Sequence, residues 1–288
     1  MMKLHFQDED LMNTFSLFSA EHIAKTYVFF DFETTGFYPL DTDRIIEIAM
    51  IKITNGSVVD KFETFINPLR LIPEQASEVN HITNEMVKDY SDFNKDICIK
   101  TLNFIQDSIL VAHNSSFDLG FLAMELAKHG ISFTSWRSID TLKIAKSVFP
   151  AQKNKLKNLI DRYNIKQEGD LHRAMVDTEA LVDVFFNLVD EEKIRNLSDD
   201  EIVAKFGYTG DIESLNKSIP QIVREAMENA TVLKADYKTR DGKILKLNFI
   251  PVAPVWNSDK WYVYVNNVKT NKHFYIYCNR LSNVFIGE

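Results

Sequence analysis

The sequence predicts an α/β protein in which a mixed sheet covered by helices is followed by a small all-β unit. Three observations carry this. Residues 27–66 read as three successive strands, with the hairpin signal Asn55-Gly56 between the second and third. From Ser77 to about residue 189 the apolar residues recur at helical spacing, interrupted by one short buried strand. From Val232 onward the period is two, with no helical pattern.

Tyr27-Val28-Phe29-Phe30 begins a core strand, and Arg44 to Ile53 reads as a buried strand. Val58 to Ile66 returns as a third and is closed by Asn67-Pro68, which gives an antiparallel meander. Ile97, Leu102, Phe104 and Ile105 share an apolar helix face, and Ile109-Leu110-Val111-Ala112 is a short buried strand. Phe117, Phe121, Leu122 and Leu126 follow at helical spacing and stop near Gly130, with further helices at about 141–148, 155–163 and 173–189. This order predicts a mixed sheet with helical cover. Residues 196–230 are charged and hold two helices, Asp199–Phe206 and Ile219–Met227, broken by Gly207, Gly210 and Pro220, as in a connector. In the last segment an Asp241-Gly242 turn precedes Leu245-Leu247-Phe249, and two aromatic strands follow at 261–265 and 274–277. Short strands of this density predict a small barrel-like β domain. The expected organisation is thus an extension over 1–25, a first domain over 26–195, a helical connector over 196–230 and a β domain over 231–288.

The chain has 288 residues, 45% of them hydrophobic and 26% charged, as in soluble globular proteins. No apolar run approaches the roughly 20 residues needed to span a bilayer. Residues 1–25 include Asp8-Glu9-Asp10 and lack the basic-apolar-small order of a secretory leader. Cys98 and Cys278 lack zinc-site spacing and read as buried thiols in a reducing compartment. The expectation is a cytoplasmic protein with no membrane association. Net charge is -8, but residues 231–288 hold nine Lys/Arg against four Asp/Glu, a net of +5. Acidity overall does not exclude a polyanionic partner, because bound divalent cations invert the local field.

Asp31-Phe32-Glu33-Thr34-Thr35-Gly36 closes the first strand. Alternate side chains of a strand share a face, so Asp31 and Glu33 reach one spot while Phe32 faces away. Two acids so placed repel unless a cation holds them, and all-oxygen ligation suits Mg²⁺ or Mn²⁺. Alone, the pair is equally an ordinary Asp-x-Glu beside a turn. Asp118 starts a helix after a short buried strand, within His113-Asn114-Ser115-Ser116-Phe117-Asp118. That geometry aims a carboxylate at a sheet-edge crevice; equally, Ser116 or Asp118 would cap the helix. His172 precedes Asp177 by five residues at the start of a strongly apolar helix. Asp177 would complete a metal cage and His172 would serve as general base, or the two are a loop histidine and a dipole-stabilising acid.

Taken together, these elements resemble the DEDDh group of 3′-to-5′ exonucleases over about residues 25–190. Supporting pieces are Arg44-Ile45-Ile46-Glu47-Ile48, Asn67-Pro68 and Ile72-Pro73 leading to His81-Ile82-Thr83, where the group usually has His-Gly-Ile. The resemblance implies an RNase H-like fold and hydrolysis of nucleic acid to nucleoside monophosphates with two Mg²⁺ or Mn²⁺ ions. It implies that Asp31, Glu33 and Asp177 hold one ion, that Asp31 is shared with the second, and that Asp118 acts partly through water. His172 would take the proton from the attacking water. The 3′-terminal nucleotide would lie against Phe32, Thr34, Thr35 and Gly36, with His113, Asn114 and Phe117 on the other wall; Phe32 and Phe117 also suit an ordinary core. The implied partner is nucleic acid with a free 3′ end, single-stranded DNA ahead of RNA, with a polymerase or repair protein as a further partner.

Residues 232–286 resemble a WYL domain, a small Sm-like barrel of bacterial regulators. The matching residues are Tyr237, Asp241-Gly242-Lys243, Phe249-Ile250-Pro251, Lys260-Trp261-Tyr262-Val263 and Asn279-Arg280-Leu281, with valine where the family name has leucine. Arg280 is the expected phosphate or ligand contact. A binding regulator with an inactive nuclease scaffold is the rival class, and it has no need of four clustered acids.

Overall fold

The computed structural model describes residues 25–167 and 173–287. The meander forms as expected: β1 (Thr26–Thr34), β2 (Ile45–Thr54) and β3 (Ser57–Phe65) pair antiparallel. Three helices follow, α1 (Glu74–Asn80), α2 (Asn84–Val87) and α3 (Lys95–Ile105), the last capped by the Asn94 side chain on the Ile97 N–H. β4 (Ile109–Ala112) then pairs parallel to β1, α4 (Ser115–Lys128) crosses over, and β5 (Trp136–Asp140) pairs parallel to β4. The short β5 carries Arg137 and Ser138 between apolar neighbours, so its run shows no strand period of its own.

The sheet is covered by α5 (Thr141–Val148), α6 (Leu156–Tyr163) and α7 (Ala174–Asp190). Alternation along β1 assigns its two faces. Val28, Phe30 and Phe32 join one core with α4, whereas Tyr27 and Phe29 join a second core with Phe185 and Phe186 of α7.

α8 (Asp199–Phe206) coincides with the expected helix and carries a capping box between Ser198 and Glu201. The next four residues depart from the expectation. Gly207–Gly210 is a strand, β6, that pairs antiparallel with β5 and completes a six-stranded sheet of order β3-β2-β1-β4-β5-β6. The two glycines permit close approach to β5: a Cβ on Gly207 would lie 1.8 Å from the Ser138 carbonyl oxygen, and one on Gly210 would lie 2.2 Å from Trp136 Nε1. Gly207→Ala is therefore expected to destabilise the protein by about 1–3 kcal/mol through overpacking, measured as a lower midpoint in urea. An unchanged midpoint would mean that β6 does not seat against β5 as described.

α9 (Ile212–Ser218) and α10 (Gln221–Glu228) lead to the second sheet. It comprises β7 (Leu233–Lys238), β8 (Ile244–Asn257), β9 (Lys260–Asn267), β10 (His273–Ile276) and β11 (Leu281–Ile286), in the order β10-β9-β8-β7-β11. The expected barrel is not closed. β10 pairs with β9 and β11 with β7, so these two are the edges of an open sheet. Its apolar face is covered by α4 instead of by its own far strands. Trp256 meets Trp136 edge-on at 5.0 Å, and a Cβ on Gly120 of α4 would lie 2.4 Å from Asn257 Oδ1. The two sheets thus share one continuous core. Among the described residues no helix is long and apolar enough to cross a membrane, and Cys98 and Cys278 are buried free thiols.

Candidate active site

Asp31 and Glu33 continue the face of β1 that holds Tyr27 and Phe29. Asp177 lies in the first turn of α7, eight residues before Phe185, which packs on that same face. A rise of 1.5 Å per residue and 3.6 residues per turn keep the two positions on one side of the helix. Packing of α7 on β1 therefore carries Asp177 to the two strand acids. Ligand oxygens of Asp31, Glu33 and Asp177 lie within 4.8 Å of one another.

Asp118 reaches the site from the opposite layer. Pairing of β1 with β4 ends at Phe29 and Val111, so the β1 edge beyond is open on that side. There the Phe32 N–H donates to Asp118 Oδ1 at 3.2 Å. The crevice beyond the carboxyl ends of parallel strands is the usual ligand position in α/β sheets.

Crowding and desolvation set the electrostatics. Burial, then the charges of Asp118, Glu33 and Asp177, hold Asp31 well above the usual carboxylate range. Burial, then Asp177 and Glu47, push Glu33 up to about 8, and burial pushes Asp118 up to about 8. Hard carboxylate oxygens converging in this way fit Mg²⁺ or Mn²⁺, whose charge would offset the repulsion. Between the unfolded carboxyl values of about 4 and about 8, the folded metal-free protein holds protons that the unfolded chain has lost. Its stability should fall as pH rises through that window. Mg²⁺ competes with those protons, so it is expected to raise Tm more at pH 8 than at pH 5.5. An equal gain at both pH values would contradict the raised carboxyls.

One contributor figures in the sequence only as part of a strand. Glu47 is 1% exposed and sits opposite Glu33 in the β1–β2 register. It accepts from Arg173 Nη2 at 2.7 Å and from the Ala174 N–H at 3.0 Å, which anchors the start of α7. Its signal was a charged residue inside the apolar run 45–51. A second is Asp140, whose Oδ1 accepts from the Asn114 and Leu142 N–H groups and holds Asn114 in its left-handed conformation, φ 73°.

The Phe32 ring is in the core, 5.3 Å from Phe30, and only its backbone faces the site. Thr34 donates to the Gly36 carbonyl, and Thr35 donates to Asp43 while accepting from the Arg44 N–H. Gly36 is needed there because a Cβ would lie 2.3 Å from the Asp43 carboxylate. His113 Nδ1 pairs with Thr141 Oγ1, and burial lowers its pKa to about 4, so it is neutral at pH 7. Asn114 is exposed, while Phe117 is half-buried between Phe121 and Phe37. Arg280 ends the short 3-10 turn between β10 and β11 and is not part of the acid cluster. His172 lies outside the described residues.

A mixed sheet carrying acids from three elements at the carboxyl end of its first strand suits metal-assisted hydrolysis. A family model described as Exonuclease matches residues 28–185, and the chain belongs to that family, within the DEDDh-type 3′-to-5′ exonuclease superfamily. It is a hydrolytic nuclease by class. It is 32% identical over 223 residues to the protein named DNA polymerase III PolC-type of Staphylococcus aureus, covering 77% of this chain. The match spans 15% of the length of that relative. Among solved structures, Escherichia coli exonuclease I in complex with a dA16 oligonucleotide aligns with a TM-score of 0.53 at 17% identity, covering 84% of this chain and 55% of that one. A 3′-exonuclease described as recognising the 3′ end of a histone mRNA stem-loop aligns with a TM-score of 0.52 at 16% identity, covering 65% of this chain and 71% of that one. At these identities the two structures show a shared fold.

Proposed function

We propose that this protein removes nucleoside monophosphates one at a time from the 3′ end of single-stranded nucleic acid, DNA in preference to RNA. The observation that carries the reading is the convergence of Asp31, Glu33 and Asp177 within 4.8 Å, with Asp118 beside them. A lone structural ion would not require the fourth acid. Two divalent ions, Mg²⁺ or Mn²⁺, would supply an activated water and stabilise charge on the leaving oxygen. Asp31, Glu33 and Asp177 would hold one and Asp31 with Asp118 the other. His172 would accept the proton of the attacking water, and Glu47, through Arg173, fixes the chain beside it. The turn at Thr34, Thr35 and Gly36 would receive the 3′-terminal nucleotide, with His113, Asn114 and Phe117 opposite.

The preference for single-stranded DNA rests on fold kinship with a nuclease solved with an oligonucleotide and on the open aromatic rings at the site's mouth. Kinship with proteins named DNA polymerase III is the ground for proposing that the chain works beside a polymerase or in repair, in the cytoplasm. The unit over 231–288, with its excess of Lys/Arg over Asp/Glu, is proposed to control or hold the substrate, as its sequence resemblance to WYL domains implies.

A 5′-labelled single strand tests the reading. In Mg²⁺ or Mn²⁺ it should shorten stepwise from its 3′ end and yield nucleoside monophosphates. Internal cuts, or shortening from the 5′ end, would overturn the proposal.

A further inference from the structure

Two adjoining hollows of about 610 and 650 Å³ lie where the nuclease sheet meets the second sheet. Both are lined by Leu40, Asp41, Arg240, Lys260 and Tyr262, so they form one groove. One end is walled by Asn114, Ser116 and Phe117, in the helical turn that carries Asp118. The other runs over β9 and β10 to Tyr277 and Arg280.

The lining carries an unusual chemistry for a chain of net charge -8. Arg240, Lys260 and Arg280 face a single carboxylate, Asp41. Among the described residues none of the three cations forms an ion pair, whereas Lys243 in the β7–β8 turn and Lys246 of β8 pair with Asp241 and Asp236. Arg280 lines only the far hollow and the other two line both, so positive charge runs from the shared middle of the groove to its far end. Charges that converged on one point would suit a small anion; charges strung along a path suit a polyanion. Aromatic rings follow the same path. Tyr262 alternates with the core residues Trp261 and Val263, which turns it outward, and its ring lies 5.4 Å from that of Tyr277. Near the acids, Phe37 is 77% exposed and leans on Phe117 at 6.4 Å. Folding gains little from a phenylalanine so placed.

We propose that this groove holds the single strand 5′ of the bond to be cut. Its phosphates lie along Arg240, Lys260 and Arg280, and its bases stack on Tyr262, Tyr277 and Phe37. Stacking on a ring face does not read base identity, so the track is sequence-tolerant. The second sheet is thereby a length gauge: strands long enough to reach Arg280 are held, and very short ones are not. The proposal rests on the exonuclease reading, which it extends from the terminal nucleotide to the rest of the strand.

The test uses the full chain with labelled dT20 and rU20. Binding is read by fluorescence anisotropy in Ca²⁺ across a salt series, which requires no hydrolysis. The triple variant Arg240→Gln, Lys260→Gln, Arg280→Gln should weaken dT20 binding at least about 10-fold and lower the slope of log K against log salt by about 2, the loss of three contacts on a single strand. Tyr262→Ala should weaken binding by about 5-fold or more, with Tyr262→Phe restoring it. In Mg²⁺, the kcat/KM ratio of dT20 to the dinucleotide should exceed 10 and should fall in the triple variant. An unchanged salt slope and ratio would overturn the track even if metal-dependent hydrolysis is present. Absence of hydrolysis with the salt slope as expected would instead sink the nuclease reading and leave the track standing.

Discussion

Asp31→Asn is expected to lower metal-dependent nucleotide release on the order of 10³-fold or more, because residues that act as one unit fail together. Asp31 is the acid that all the others crowd: Asp118, Glu33, Asp177 and Glu47 each raise its pKa. An asparagine keeps the shape and loses the charge, so the substitution separates two roles. Metal affinity and turnover should collapse. Stability should not, because the metal-free wild type carries uncompensated repulsion at this point. At pH 8 without metal, the variant should melt at or above the wild-type Tm. A loss of activity accompanied by a marked fall in Tm would point to a structural role, and retained activity would remove Asp31 from the centre. Together, the two readouts distinguish a ligand from a packing residue.

The second large effect is expected at His172. Replacement by glutamine should reduce kcat by about 10²–10⁴-fold, the range that a positioned general base contributes, while leaving divalent-ion affinity near the wild-type value. The acidic limb of the pH profile of kcat should also flatten, because the group whose deprotonation it reports is gone. Glu47→Gln gives a milder version. Glu47 accepts from both Arg173 and the Ala174 N–H, so its loss loosens the segment next to His172. It acts through positioning, and it should lower kcat without abolishing the pH limb. A His172→Gln variant with wild-type kcat would show that the proton leaves by another route.

The catalytic half of this molecule was legible because its signals are local. Alternation on one strand is enough to place Asp31 beside Glu33 and to turn Phe32 away, and Phe32 is indeed in the core. A short strand followed at once by a helix is enough to aim Asp118 at the sheet edge, where it accepts from the Phe32 N–H. What stayed hidden depends on contacts between distant segments. Gly207 and Gly210 read as breakers, since glycine usually ends an element; here they form a strand because nothing larger fits against Ser138 and Trp136. The strands of the second sheet were readable from their period of two, but whether a sheet closes is decided by its edges. Alternation does not encode which strands are left unpaired, so an open sheet covered by α4 was read as a barrel. The groove was illegible for the same reason: its tyrosines and cations come from β7, β9, β10 and the turns around them. No window of sequence contains them together.

Asp31, Glu33, Asp118 and Asp177 are proposed to form a divalent-metal centre that cuts the 3′-terminal nucleotide. Its most direct test is nucleotide release from a 3′-labelled single strand by metal-stripped wild-type protein, titrated with Mg²⁺ or Mn²⁺. Release should be absent in chelator, return fully on adding either ion, and stay about 10³-fold or more below wild type at every ion concentration in Asp31→Asn. Release in chelator, or recovery by Asp31→Asn equal to that of the wild type, would contradict the proposed centre.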